Sequence, residues 1–312
     1  MEKYLEMLTF CRPAGSVYEE AFVEKYLRVP HRPIEDGYGN QIIDVGSKPN
    51  IVWSSHTDTV HRVSRLQHIE VGKKDGFARV APGQKLSNCL GADCTTGVWL
   101  MLEMIEAGVP GRYIFARAEE RGMLGSSWLA RNTPMMLEGI DAAIAFDRMG
   151  TDEVITHQGS RTASNEFATS LAAILGGEYK PSSLGVYTDT KAYAALVSEC
   201  TNIGVGYYRQ HSTAETQDLN HLKWLRDVMV KFDQSTLVFK RDAAAEPAYD
   251  PYDFMQWDQA QYDFSAFVNL IRRDPTAVAE ILRDAGYDYD KLDIDIYKRK
   301  RRVASNAKTK TQ

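Results

Sequence analysis

The chain has little cysteine and no cysteine pairing. Cys11, Cys89, Cys94 and Cys200 are its only four cysteines in 312 residues, and no CxxC motif joins any two of them. This removes the case for a disulfide framework and reads instead as reduced, buried thiols in a reducing compartment. A long apolar run is also missing. The first ten residues, MEKYLEMLTF, carry acidic side chains, so they fit neither a secretory signal nor a membrane anchor, and a cytoplasmic location is expected. Nor does one sign of charge dominate: 37 basic against 42 acidic residues leave a net charge of -5, too small for a broad electrostatic grip on nucleic acid or an anionic membrane. No internal repeat is present. What remains is an ordinary apolar share, 44%, in a length sufficient for one large core.

Apolar spacing predicts helices over Glu2 to Phe10 and Val17 to Leu27, the second with Tyr18, Phe22 and Tyr26 on one face. A turn-rich stretch ending near Asn50 precedes the β-prone run Ile51-Val52-Trp53, which leads into Ser54, Ser55 and His56. The same order recurs. Tyr113 to Ala116 leads to Glu119-Glu120, Ala142 to Phe146 to Asp147, and Ile203 to Tyr207 towards His211. Chemistry in open α/β sheets gathers at such C-terminal strand ends. Helices expected over Thr95 to Ala107, Asp189 to Ser198 and Asp218 to Phe239 alternate with these strands. The expectation is therefore an α/β fold of three layers, α/β/α, around a mixed, mostly parallel central sheet.

Five segments supply ligand-type side chains: Ser55-His56-Thr57-Asp58, Gly91-Ala92-Asp93, Ala118-Glu119-Glu120, Phe146-Asp147 and Gln210-His211-Ser212. Each alone is a weak signal, since a single His or Asp at a strand end is usually a cap or a satisfied polar group. Together they make the set that a pair of divalent ions requires, several carboxylates and imidazoles with one carboxylate free to bridge. Asp58, two places after His56, suits a carboxylate that holds the second imidazole nitrogen. The neighbouring acids Glu119 and Glu120 repel each other unless they serve separate tasks, one binding metal and the other moving a proton.

The stretches HTDT, LGADCTTGV, RAEERGMLGS, FDRMG and GVYTDTKAYAALVSECTNIGVGYYRQHSTAE, taken in order, resemble the successive metal-site motifs of the co-catalytic zinc exopeptidases, over roughly residues 16 to 239. That group includes leucyl aminopeptidase-like enzymes, glutamate carboxypeptidases and the acetylornithine deacetylase type. The resemblance implies the phosphorylase/hydrolase-like zinc peptidase fold and two divalent ions, zinc first, with cobalt or manganese as substitutes. It further implies that Asp93 bridges both ions, that His56 and Asp147 complete one site, and that Glu120 and His211 complete the other. Glu119 would be the general base and Asp58 would orient His56. Many relatives carry a second Asp where this chain has Cys94, and a helix from Thr95 is expected to turn that thiol away from the site. Asp189 is read as the cap of the helix that follows it, although the resemblance implies that this acidic position lies near the site.

Deacetylase-type relatives insert a lid domain between the last two ligand segments. Asp147 and His211 are only 64 positions apart, which leaves no room for one. The favoured reading is a di-zinc aminopeptidase acting on peptides. A di-zinc carboxypeptidase or an N-acyl amino acid deacylase would use the same ligands on a C-terminal residue or an acylated amino acid. A metal-stabilised binding protein without turnover is the reading from another class, and the intact Glu119 argues against it. Tyr207, Tyr208 and Arg209 are candidates for lining a pocket. His31, His61, His68, His157 and His221 are read as exposed or locally bonded. Domain expectations are a catalytic domain over 1–240, a linker with C-terminal helices over 241–297, through which the chain would form a homo-oligomer, and a basic tail over 298–312. Lys298 to Arg302 lack an aromatic platform, so nucleic acid is a disfavoured partner, as is a membrane.

Overall fold

Ile51–His56 is buried along its whole length, polar residues included, which is what a strand acquires when it has a sheet neighbour on each side and helices above and below. It is a central member of an eight-stranded sheet in the computed structural model, which describes residues 1–245. The strands are β1 (Ile34–Glu35), β2 (Gln41–Val45), β3 (Ile51–His56), β4 (Gly111–Ala116), β5 (Ala142–Arg148), β6 (Glu153–Ile155), β7 (Lys180–Ser182) and β8 (Glu199–Gly204), in the order β7-β6-β8-β5-β3-β4-β2-β1. The inner four, β8, β5, β3 and β4, run parallel, and antiparallel pairs of β6 with β8 and of β2 with β4 flank them. The sheet is thus mixed with a parallel centre, and its parallel C-terminal ends all open on one side.

Alternation along the strands divides the core into two. Ile51 and Trp53 of β3, Tyr113 and Phe115 of β4 and Ile144 and Phe146 of β5 face the larger cluster. Helices α1 (Glu2–Met7), α2 (Val17–Val23), α3 (Ala92–Glu106), α5 (Asn165–Leu175) and α7 (Leu219–Met229) contribute residues to it, whereas α4 (Leu124–Asn132) supplies Leu129 and α6 (Asp189–Tyr193) supplies Tyr193 to the smaller cluster on Val52, Ile114 and Ala143. Helices therefore cover both faces, and the architecture is the three-layer α/β/α arrangement. Trp53 anchors the larger core, stacked on Phe146 with ring centroids 5.7 Å apart and meeting the edge of Phe232 at 5.0 Å.

Several elements end earlier than apolar spacing suggests, each because a tertiary contact wins. The first helix stops at Met7, because Phe10 and Cys11 pair as a short strand with Leu66 and Arg65. The expected helix to Leu27 continues past Val23 as a π-turn over Glu24–Arg28. Helix α6 stops at Tyr193, and the chain then turns tightly to seat Ala194 and Val197 in the smaller core. Helix α7 stops at Met229, and Phe232 folds back onto Trp53. Strand β8 ends at Gly204; Tyr207–Tyr208 belongs to a separate antiparallel sheet with Thr216–Asp218, Phe77–Val80 and Ile69–Val71. Gly206, at φ +92°, makes that change of sheet, and a side chain there would meet the His221 ring at 2.8 Å. Strand β2 lies inside the stretch read as turn-rich.

The interval between Asp147 and His211 is taken up by β6, β7, β8, α5 and α6, all built into the sheet and its cover. Beyond the expected boundary at residue 240 the chain stays tied down. The Arg241 guanidinium donates to the carbonyls of Ala194, Val197, Ser198 and Arg161, and Glu199 Oε1 accepts from the backbone of Lys240 and Arg241. The expected C-terminal helices and the basic tail, with any oligomer contact through them, lie outside the described residues. No helix among the described residues is long and apolar enough to cross a membrane.

Candidate metal centre

Four strand ends and one helix start converge. His56 is the last residue of β3, Asp147 lies near the end of β5, and Glu119 and Glu120 occupy a 3-10 turn three residues past β4. That turn is entered through Ala118 at φ 55°, so the two acids diverge on a tight turn and not on an extended segment. Asp93 stands at the start of α3, where Asp93 and Cys94 both leave helical backbone and the peptide between them is cis. His211, at φ 60°, arrives on a loop beyond β8 and is half exposed.

Asp93 is central. Its Oδ1 lies 3.1 Å from His56 Nε2 and its Oδ2 lies 3.2 Å from His211 Nε2. His56 Nε2 also faces Asp147 Oδ1 at 3.3 Å and Glu119 Oε2 at 3.9 Å, while His211 Nε2 faces Glu120 Oε1 at 3.1 Å. All six of these side chains thus meet in one cluster, with one aspartate spanning two imidazoles. Asp58 acts on two of the segments at once. Its carboxylate accepts the backbone N–H of Glu119 at 3.0 Å and of Glu120 at 3.2 Å, and its Oδ1 lies 3.4 Å from His56 Nδ1. The nearer partner of that nitrogen is the Asp58 carbonyl at 3.1 Å, so residue 58 orients the imidazole through its backbone more than through its carboxylate.

The charges call for cations. Burial pushes the carboxyl of Glu119 well above its usual range, with Asp147, Glu120 and Asp189 adding repulsion, and it raises Glu120 to about 7. Burial opposes ionisation of Asp93 too, but hydrogen bonds from His211 and His56 outweigh it and hold that carboxyl low. His211 shows the converse: burial disfavours its charge, and Asp93 and Glu120 outweigh burial and raise it to about 11. An imidazole Nε2 can donate one proton at most, yet His56 Nε2 faces three carboxylates. Asp147 Oδ1 and Glu120 Oε1 are buried and face no donor but those shared imidazole nitrogens. Divalent ions between these oxygens and nitrogens would satisfy both deficits, so the residues fit the metals that their types suggest. His56, Asp93 and Glu120 form one group of donor atoms within 4.8 Å of one another, and His56, Cys94 and Asp147 form a second.

The sequence profile of "Peptidase family M28" matches residues 42–196, a span that contains every member of the cluster except His211. That match supports a co-catalytic zinc exopeptidase family for the chain. No curated protein matches the sequence. Among solved structures it is similar to the aminopeptidase PepT from Bacillus cereus, at 16% identity and a TM-score of 0.58, over 73% of this chain and 95% of that one. A tripeptidase from Staphylococcus aureus matches at 16% identity and a TM-score of 0.59, over 74% and 95% of the two chains. The TET1 peptidase of Pyrococcus horikoshii matches at 18% identity and 0.53, over 73% and 98%. These likenesses establish a shared fold.

Around this exopeptidase centre lie residues that sequence reasoning passed over. Glu215 is buried and accepts three backbone N–H groups, from Leu90 at 2.8 Å, Gly91 at 2.9 Å and Asp93 at 3.2 Å, which ties the loop carrying Asp93 to the segment after His211. Asn202 exchanges two hydrogen bonds with the Asp147 backbone, and Thr188 Oγ1 donates to Asp147 Oδ2 at 2.7 Å. Their distance along the chain hid them; only sheet adjacency joins Asn202 to Asp147. Asp189 does not cap α6, a position that Thr188 holds. It is buried, both its oxygens lack a partner, and burial raises it to about 7. Cys94 corrects the expectation that its helix turns it away, because its non-helical backbone leaves Sγ beside His56 and Asp147. A cavity of about 110 Å³ opens on the cluster. It is lined by Arg148, Met149, Val186, Tyr187, Tyr207 and Gln210 together with the acids, whereas Tyr208 and Arg209 do not line it.

Proposed function

We propose that this protein is a metal-dependent aminopeptidase that hydrolyses peptide bonds with two divalent ions, zinc in the first instance. The observation that carries the reading is Asp93, whose two oxygens stand against separate imidazoles as a shared ligand must. His56, Asp147 and Asp93 would hold one ion, and Glu120, His211 and Asp93 the other. The match to a peptidase family supports peptide hydrolysis as the reaction. The cavity supports the amino end of the substrate. The guanidinium of Arg148, the one Lys or Arg side chain among the lining residues, is engaged by Glu153 at 2.7 Å and by the Leu184 carbonyl at 3.0 Å, so it is not left to clamp a substrate carboxylate.

When bound, the ions polarise the scissile carbonyl, lower the pKa of water and draw the raised carboxyl pKa values back down. Glu119 takes the proton from the attacking water at Oε2 and returns it to the leaving amine. Asp58 fixes the backbone of Glu119 and Glu120 so that the two carboxyls keep their separate tasks. Glu215 and Asn202 hold Asp93 and Asp147 in place.

The test is hydrolysis of aminoacyl arylamides and of free and N-terminally blocked peptides, before and after chelation. Cleavage of unblocked substrates that chelation abolishes and added zinc restores is expected. Full activity in metal-free protein, or cleavage confined to blocked substrates, would overturn the reading.

A further inference from the structure

We propose that Cys94 is a donor to the ion held by His56 and Asp147, which makes that ion sulfur-ligated. The inference rests on the two-ion reading above and extends it. Cys94 Sγ, a ring nitrogen of His56 and a carboxyl oxygen of Asp147 lie within 4.8 Å of one another. One central zinc with bonds of about 2.0–2.3 Å comes close to spanning such a group. Two further observations point to a ligand at this spot. Asp147 Oδ1, on a side chain only 8% exposed, makes no well-formed hydrogen bond and has only His56 Nε2 before it at 3.3 Å, and that nitrogen, fully buried, faces more oxygens than one proton can serve.

The sulfur is already positioned. Ser55 Oγ lies 2.9 Å from Sγ and the Phe146 carbonyl 3.2 Å from it, so the side chain is held between β3 and β5. The Ser55 hydroxyl can turn its O–H towards the sulfur and stabilise the thiolate when the thiol proton leaves to solvent on metal binding. The two ions then differ. The one beside β3 has His56, Asp93, Asp147 and Cys94 around it, whereas the other has Asp93, Glu120 and the half-exposed His211. A soft thiolate beside His56 and Asp147 describes a zinc-selective site, whereas carboxylates with the half-exposed His211 describe one that meets water and substrate. The geometry therefore makes the ion at His56 the slower to exchange and the one at His211 the one lost first to a chelator.

Cobalt(II) titration of the full-length protein, followed by near-ultraviolet absorption, tests this. A sulfur-to-cobalt charge-transfer band is expected in the wild type and not in Cys94→Ser or Cys94→Ala, both of which should still bind cobalt and keep the wild-type thermal midpoint within a few degrees. Should neither cysteine variant fold, Asp147→Asn removes the band by the same route. Cobalt bound without a sulfur band, or a band that survives Cys94→Ser, would overturn the assignment and leave the aminopeptidase reading standing. Failure to bind cobalt at all would remove both.

Discussion

At the scale of single residues the centre depends on side chains that water would keep apart. Asp93, Glu119, Glu120 and Asp147 tolerate one another only because imidazoles and, on the reading above, cations face them. Glu119→Gln keeps shape and neutral hydrogen bonding but cannot carry a proton between water and amine. It is expected to retain bound metal and to lose turnover roughly a hundred- to ten-thousand-fold, as metal analysis and single-turnover rates would show. His61 offers a test that does not touch the centre's ligands. Burial, with the Arg12 charge as a smaller contribution, lowers it to about 4, and its neutral ring bonds Thr59 and the Cys89 carbonyl. The unfolded chain therefore takes up that proton at higher pH than the folded one. The contribution to stability is complete above about pH 6.5 and declines as pH falls towards 4, by an amount on the order of 3 kcal/mol. Denaturant midpoints measured across that window should fall more steeply for the wild type than for His61→Gln.

At the scale of elements, the helix behind the site is pressed against the sheet. A side chain at Gly97 of α3 would stand 2.4 Å from the Phe146 carbonyl, 2.7 Å from Ser55 Oγ and 2.8 Å from Cys94 Sγ. Gly97→Ala must therefore push α3 away from β3 and β5, at a cost of about 1–3 kcal/mol in unfolding free energy. Because Asp93 begins that helix and His56 and Asp147 end those strands, metal affinity should weaken along with stability, which calorimetric titration would register. The boundaries missed in the sequence share one cause. Helix α7 and helix α6 have apolar residues at helical spacing beyond their true ends, but Phe232 leaves its helix to pack edge-on against Trp53, and Ala194 and Val197 sit in the smaller core.

At the scale of the whole molecule, the parallel centre of the sheet gathers at one end residues that lie far apart in the chain, and on the proposed reading bound metal would link those strands directly. Ligands bound to the native state alone add stability that grows with their concentration, by about 2.7 kcal/mol at a hundredfold excess over Kd. Removal of metal should accordingly lower the thermal midpoint, and zinc should restore it in a concentration-dependent manner. A midpoint indifferent to both would argue against ions within the cluster.

Much of this was legible in the residues themselves. The alternation of β-prone runs with amphipathic stretches implied the three-layer fold, because burial on both faces of a parallel sheet leaves continuous apolar runs. His56, Glu119, Glu120, Asp147 and His211 were identifiable because each follows an apolar run, Asp58 by its spacing from His56 and Asp93 through the resemblance of the ordered motifs, and the structure brings them together. Glu215, Asn202 and the inward turn of Cys94 were not, since each depends on a partner 39 to 125 positions away or on backbone angles that no local pattern records. Local sequence decides which side chains a strand end offers, because that is a matter of composition and period. Which of those side chains share a space, and which backbone groups hold them there, follows from chain packing that only the folded state possesses.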